Sequence, residues 1–195
     1  YFSILWHYKQ EELDNLPALS LVVSLIIAEA LQAQNVQAIQ IKWPNDVVLN
    51  GKKLVGILTE MSAQMNYIEY LVTGIGINAN LREFPEELED KATSLQKEIG
   101  HKVNRSALIA ECMEKIEENY EIFVKTQDLS GLMAAYQEAL VNQDQQVRVL
   151  EPGHEYTGVA RGINAMGELL VEKEDGTITE VYAGEVSVRG LYGYV

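Results

Sequence analysis

Apolar residues recur at every second position along the first eight residues, with Phe2, Ile4, Trp6 and Tyr8 alternating with Tyr1, Ser3, Leu5 and His7. That period predicts a strand, and apolar residues on both of its sides predict burial on both faces. Pro17 then opens a helix that runs to about Gln34, with Leu21, Leu25 and Ala28 spaced to face a core. Its apolar run from Leu19 to Leu31 is broken by Ser24 and Glu29 and falls short of the ~20 residues that a bilayer span requires, so it reads as a core helix. From Ile39 onward come the β-branched runs IQIKW, DVVLN, KLVGILTEMS and NYIEYLVTGIGIN, with the hairpin dipeptide Asn50-Gly51 between the second and third. They predict an antiparallel meander.

The pattern then turns helical. Phe84 to Asp90 is an acidic stretch that forms a turn or two after Pro85, and Leu108, Ile109, Cys112, Ile116, Tyr120 and Phe123 predict a long helix with Asn104 as its N-cap. Leu132, Tyr136 and Leu140 predict a second helix over about 129–140, weakened by Gly131. After the polar hinge VNQDQQ, five short strands (VRVLE, EYTGVARGIN, ELLVEKE, ITEVYA, EVSVR) are punctuated by turns at Pro152-Gly153, Asn164–Gly167 and Asp175-Gly176. They predict a small barrel, with a domain boundary near Gln143–Gln146 that divides the chain into 1–142 and 143–195.

Composition narrows the function. The chain has 195 residues, of which 47% are hydrophobic and four are proline, a globular composition. A net charge of −14 argues against binding to phosphate backbones or anionic lipid through this part of the molecule. With Cys112 as the one cysteine there is no internal disulfide, which fits a reducing, cytoplasmic setting. The chain starts at Tyr1 inside a strand pattern with no basic n-region or cleavage site, which argues against a signal peptide and for residues upstream.

Two segments concentrate candidate chemistry. In IKWPNDVVLNGKKLVGILTE, Pro44 turns the chain, Asn45 and Asp46 follow, and the hairpin brings Lys52 and Lys53 together as a positive spot for an anionic ligand. Asn45 offers the donor and acceptor needed to read an adenine edge or to hold a backbone turn. The alternative is an ordinary turn followed by solvated charges. In VTGIGIN, Gly74 and Gly76 interrupt a strand where something must approach the backbone closely, and Gly56 repeats the signal on the preceding strand. Together they suggest a flat wall for a planar ligand, with Asn78 at its end to meet a phosphate or a hydrated metal ion; bulge-forming glycines are the alternative. His7, His101 and His154 show no ligand spacing, Cys112 sits on an apolar stripe, and G-x-S-x-G is absent, so neither a zinc site nor hydrolytic catalysis finds support.

The words KWPND, GKKLVGIL, TGIGIN and AGEVSVR, in that order, resemble the biotin protein ligase family, also called biotin–[acetyl-CoA-carboxylase] ligases. The resemblance implies an α/β (α+β) catalytic domain with a mixed β-sheet flanked by helices, related to lipoate ligases and class II synthetases, followed by an SH3-like barrel. It implies biotin, ATP and Mg2+ as ligands, biotinyl-5′-AMP as intermediate, and a lysine of a biotin carboxyl carrier domain as acceptor. Carried over by motif, Lys53 would contact the biotin carboxylate and the adenylate phosphate, with Lys42 as a second cation. Gly56, Leu58, Gly74 and Ile75 would line the biotin pocket. Trp43, Asn45, Asp46 and Asn78 would serve the nucleotide, and Glu185 and Arg189 would support the site from the barrel. A second copy of the chain would pair through an exposed sheet edge. The family's upstream GRGRxGR loop is not part of this sequence, so half of the expected ligand shell would come from elsewhere. Two alternative readings accompany the enzyme: a non-catalytic adenylate-sensing or interaction fragment, and a lipoate-type acyl ligase.

Overall fold

A computed structural model describes residues 1–6, 18–64, 67–151, 153–183 and 187–190, with residues 63–64, 67–68, 154 and 187–190 described by backbone alone. Two antiparallel sheets organise them. The first has five strands: β1 (Phe2–Leu5), β2 (Ile39–Lys42), β3 (Asp46–Leu49), β4 (Lys52–Gln64) and β5 (Tyr67–Ile77), in the order β1-β5-β4-β3-β2. The helices are α1 (Leu19–Ala33), α2 (Leu95–Ile99), α3 (Arg105–Thr126) and α4 (Met133–Ala139). The second sheet is built from β6 (Gln146–Glu151), β7 (His154–Ile163), β8 (Leu169–Glu172), β9 (Ile178–Val181) and β10 (Ser187–Gly190), ordered β10-β6-β7-β8-β9. The pattern over 39–77 thus yields the expected meander, and the last fifty residues yield all five expected strands. Every strand pair is antiparallel among the described residues; parallel pairing is confined to the isolated bridges Ile41–Leu140 and Lys53–Ala92.

One face of the first sheet is covered and the other is open, and this asymmetry creates the site. Helix α1 is apolar on nearly every side because it lies between the sheet and α3, with α4 alongside, so Leu19, Val22, Ile26, Ile27 and Leu31 are all sealed. A chain of hydroxyls ties it down: Ser20 Oγ donates to Thr59 Oγ1 at 2.9 Å, Thr59 and Thr73 hydroxyls meet at 3.0 Å, and Trp6 Nε1 donates to Thr73 Oγ1 at 2.9 Å. The side chain of Asn104 caps α3 by accepting from Ser106 N and Ala107 N, as the sequence suggests.

Two expectations require correction. β1 is an edge strand among the described residues, with its inward residues Phe2 and Ile4 half-buried and Leu5 63% exposed, because it ends the sheet order with β5 as its neighbour. The helix expected from Leu129 begins at Met133: at Gly131 the backbone passes so close to α3 that a Cβ would lie 2.7 Å from Ile122 Cγ2, and residues 130–132 form a turn instead. The acidic stretch after Pro85 forms the one-turn 3-10 helix Glu86–Leu88, within the one or two turns expected. Pro17 and His7 lie outside the described residues.

The second sheet docks against the helical layer through a polar seam. Trp43 donates from its indole Nε1 to Gly167 O at 3.0 Å and from its backbone N to Asn142 Oδ1 at 2.9 Å, while Leu129 N donates to Ala165 O at 2.8 Å. One apolar cluster, reaching from Trp6 to Val181, runs through both parts. Within the second sheet Gly158 sits where a Cβ would approach Glu172 O to 2.5 Å and Val171 Cγ1 to 2.6 Å. Gly158→Ala is therefore expected to destabilise the fold by about 1–3 kcal/mol, the usual cost of overpacking. A urea midpoint equal to that of the parent would show that β7 and β8 separate freely.

Candidate active site

The open face of the first sheet carries a groove of about 430 Å3 lined by Tyr1, Phe2, Ser3, Lys53, Gly56, Leu58, Gly74, Ile75, Gly76 and Asn78. Its floor follows from the register. Gly56 on β4 lies directly opposite Gly76 on β5, and Leu58 lies opposite Gly74, which in turn faces Ser3 on β1. Two adjacent strands thus present backbone where side chains would otherwise stand, and a flat ligand could lie against them.

Lys53 reaches this floor through a defect in the ladder. In an unbroken strand, side chains alternate, so Lys53 and Gly56 would point to opposite faces. Between Val47 and Val48 the β3–β4 register shifts: Val47 pairs with Val55 and Val48 with Lys53, which leaves Leu54 as an extra residue on β4. This bulge turns Lys53 onto the face of Gly56 and Leu58. A Cβ placed at Gly56 would lie 3.1 Å from Lys53 Cε and 3.2 Å from its Nζ, so the ammonium stands over the first glycine of the floor. Asp46, directly across from Gly56 in register, holds that ammonium in an ion pair, its own side chain 13% exposed against 40% for the lysine. The same shift sends Lys52 away from the groove, where its Nζ donates to Glu89 O at 2.8 Å. The expected convergence of two lysines is thereby corrected to one.

The other sequence candidates divide. Lys53, Gly56, Leu58, Gly74, Ile75 and Asn78 come together around the groove. Trp43 does not: it is 1% exposed and spends its indole N–H on Gly167, so its role is to join the two sheets. Asn45 uses its amide to hold the turn, donating from Nδ2 to Ile57 O at 2.8 Å while its carbonyl accepts from Ile57 N at 3.1 Å. Of the two uses open to Asn45, the turn is the one observed. Lys42 is buried opposite Asp46 in register and does not line the groove. Glu185 lies outside the described residues, and Arg189 is placed by its backbone, opposite Arg148 on β6.

Three groove residues, Tyr1, Phe2 and Ser3, carry no functional signal in the sequence. Tyr1 packs over the glycine floor, since a Cβ at Gly76 would come 2.7 Å from its Cε1. Elsewhere, burial and the neighbouring Glu111 push the Cys112 thiol up to about 11, which keeps it protonated and inert at neutral pH. Among the described residues no group of three or more His, Cys, Asp or Glu side chains is placed to hold a metal ion, and no helix is long and apolar enough to cross a membrane.

The fold and the groove can be set beside known proteins. Residues 1–78 match the biotin/lipoate A/B protein ligase family, and residues 144–189 match the biotin protein ligase C-terminal domain. The apo structure of biotin protein ligase from Aquifex aeolicus superposes with a TM-score of 0.86 at 33% identity, over 97% of this chain and 81% of that one. The same enzyme in complex with biotin and ATP also superposes with a TM-score of 0.86 at 33% identity, covering 97% of this chain and 77% of that one. The chain belongs to the biotin protein ligase family. Among curated relatives, the bifunctional ligase/repressor BirA of Bacillus subtilis is 32% identical over 90% of this chain and 54% of its own length. This chain therefore spans about half the length of the curated relatives it matches.

Proposed function

We propose that the chain forms part of an enzyme that activates biotin with MgATP and passes the biotinyl group to a lysine of a biotin carboxyl carrier domain. The observation that carries this reading is the single ammonium of Lys53 poised over a bare glycine floor. A groove of about 430 Å3 is within the ordinary range for a small-molecule site. The fused rings of biotin would lie on Gly74, beside the Tyr1 ring that covers Gly76, with Leu58 against the valeryl chain, so that its carboxylate comes to Lys53. In the first half-reaction a carboxylate oxygen attacks the α-phosphorus of ATP and pyrophosphate leaves. A fixed positive charge between the two anions lowers their repulsion and stabilises the charge that accumulates in the transition state. Asp46 keeps the ammonium aimed while the groove is empty of anions. In the second half-reaction the acceptor amine attacks the acyl carbon, AMP leaves, and the amine gives up a proton.

The nucleotide would occupy the Asn78 end of the groove. Asn78, which lines that end, offers a neutral side-chain oxygen that would help hold a magnesium ion, and the ion would supply positive charge to offset that of the phosphates. A second copy of the chain, the carrier domain as acceptor and a cytoplasmic location belong to the same proposal. The match of residues 144–189 to a biotin-ligase C-terminal domain supports biotin over lipoate as the acyl donor.

Exchange of labelled pyrophosphate into ATP by the intact protein tests the reading. Exchange should depend on biotin and should not be supported by lipoate. Exchange with lipoate alone would reassign the acyl donor, and none with either acid would leave the groove a non-catalytic binding site.

A further inference from the structure

The hairpin that carries Lys53 is gripped from outside by a stretch that the sequence presents only as an acidic tract and its continuation. Lys53 donates its backbone N–H to Lys91 O at 2.8 Å and accepts at its carbonyl from Thr93 N at 2.9 Å, forming the parallel bridge to Ala92. Beside it, Lys52 Nζ donates to Glu89 O at 2.8 Å, and Asn50 Nδ2 donates to Glu98 Oε2 at 2.7 Å. The other oxygen of Glu98 accepts from the hydroxyl of Thr93, whose side chain is sealed at 1% exposure. On the far side, Leu95 N donates to Asn78 O and Gln96 N to Ala79 O, each at 2.9 Å. The ten residues Glu89–Glu98 therefore touch the turn, both backbone groups of Lys53 and the strand end that bears Asn78.

This grip lies where the first sheet most needs one. The bulge that turns Lys53 toward the groove also disrupts the β3–β4 ladder beside it, so the strand pairing alone holds that residue poorly. The 91–93 segment pairs with Lys53 on the other edge of β4, which β5 leaves open because its pairing stops at Val55. Glu98 in turn closes the segment on itself through Thr93 and on the hairpin turn through Asn50.

We propose that Thr93 and Glu98 are positioning residues that set the distance between the Lys53 ammonium and Asn78, the two ends of the groove. The proposal rests on the acyl-adenylate reading of that groove. Thr93→Val removes the hydroxyl at nearly constant volume, and Thr93→Ser restores it. In the intact protein, Thr93→Val should lower kcat for biotin-dependent pyrophosphate exchange on the order of tenfold or more, because a small misplacement of an oriented charge costs rate. Thr93→Ser should recover most of that loss. Glu98→Leu, a change at an exposed side chain, should reproduce it, since it removes both oxygens that accept from Thr93 and Asn50. In a Lys53→Ala background Thr93→Val should cost nothing further, because the ammonium whose place it sets is gone. The same fold-loss in both backgrounds, or a loss that Thr93→Ser fails to recover, overturns the positioning role while leaving the reading of the groove intact. Unchanged exchange in Lys53→Ala alone overturns that reading and the positioning role with it.

Discussion

Lys53→Ala should reduce biotin-dependent pyrophosphate exchange by about 10²–10³-fold, the range typical for removal of one preorganised charge-stabilising group. The folded state should change little. The side chain is 40% exposed and makes no core contact that alanine would abolish. Its ion pair with Asp46 is solvated on the lysine side only, so its loss costs more than the ~0–1 kcal/mol of an exposed pair and less than breaking a fully buried one. A thermal midpoint within a few degrees of the parent, together with the lost exchange, would separate chemistry from folding. Arginine should not substitute well. The space above Gly56 already holds Lys53 Cε at 3.1 Å from a notional Cβ, and a planar guanidinium is broader than an ammonium there. Full activity in Lys53→Ala would remove the lysine from the mechanism.

Gly74→Val should weaken biotin binding by about 100-fold or more while leaving stability unchanged or slightly improved, since β-branched residues suit strands and the loss is confined to the ligand's space. The backbone at Gly74 tolerates a side chain: the nearest atoms to an added Cβ are Leu58 O at 3.8 Å and Ser3 Oγ at 4.0 Å, both ordinary contacts. A valine would therefore stand up from the floor without disturbing β4 or β1. Gly158 behaves in the opposite way, because its Cβ would strike the backbone of β8 and its replacement would damage the fold with no bearing on the groove. Calorimetry with biotin on Gly74→Val gives the answer directly. Unaltered affinity would place the acyl donor off the glycine floor.

These two residues also show how far local patterns reach. The glycines of VTGIGIN and LVGIL announce an exposed backbone because a strand interior has no other use for them, and the register does set Gly56 against Gly76. The Asn50-Gly51 hairpin is equally plain, since both residues take positive φ, 52° and 75°, as a tight two-residue turn requires. The identity of the groove-facing lysine is a different matter. Alternation along KKLVGIL puts Lys52, and not Lys53, on the face of Gly56, and only the extra residue Leu54 reverses this. A bulge depends on how two strands settle against each other, and no single residue in the run signals it. Trp43 misleads for a related reason. The resemblance assigns it to the nucleotide, yet its partner, the carbonyl of Gly167, lies 124 residues away and enters only when the second sheet docks. The Glu89–Glu98 stretch hides in the same way. Its two bonds to Lys53 are backbone bonds, which leave no imprint on residue type.

The central claim is that Lys53, turned by a bulge over a glycine floor, binds the acyl-phosphate junction of biotinyl-5′-AMP. A crystal structure of the intact protein with that adenylate tests it most directly. The account predicts Lys53 Nζ within about 2.7–3.2 Å of an oxygen at the junction, with the biotin rings lying flat on Gly74. An adenylate bound away from that glycine, or a Lys53 that stays on Asp46 and makes no contact with the ligand, would contradict it.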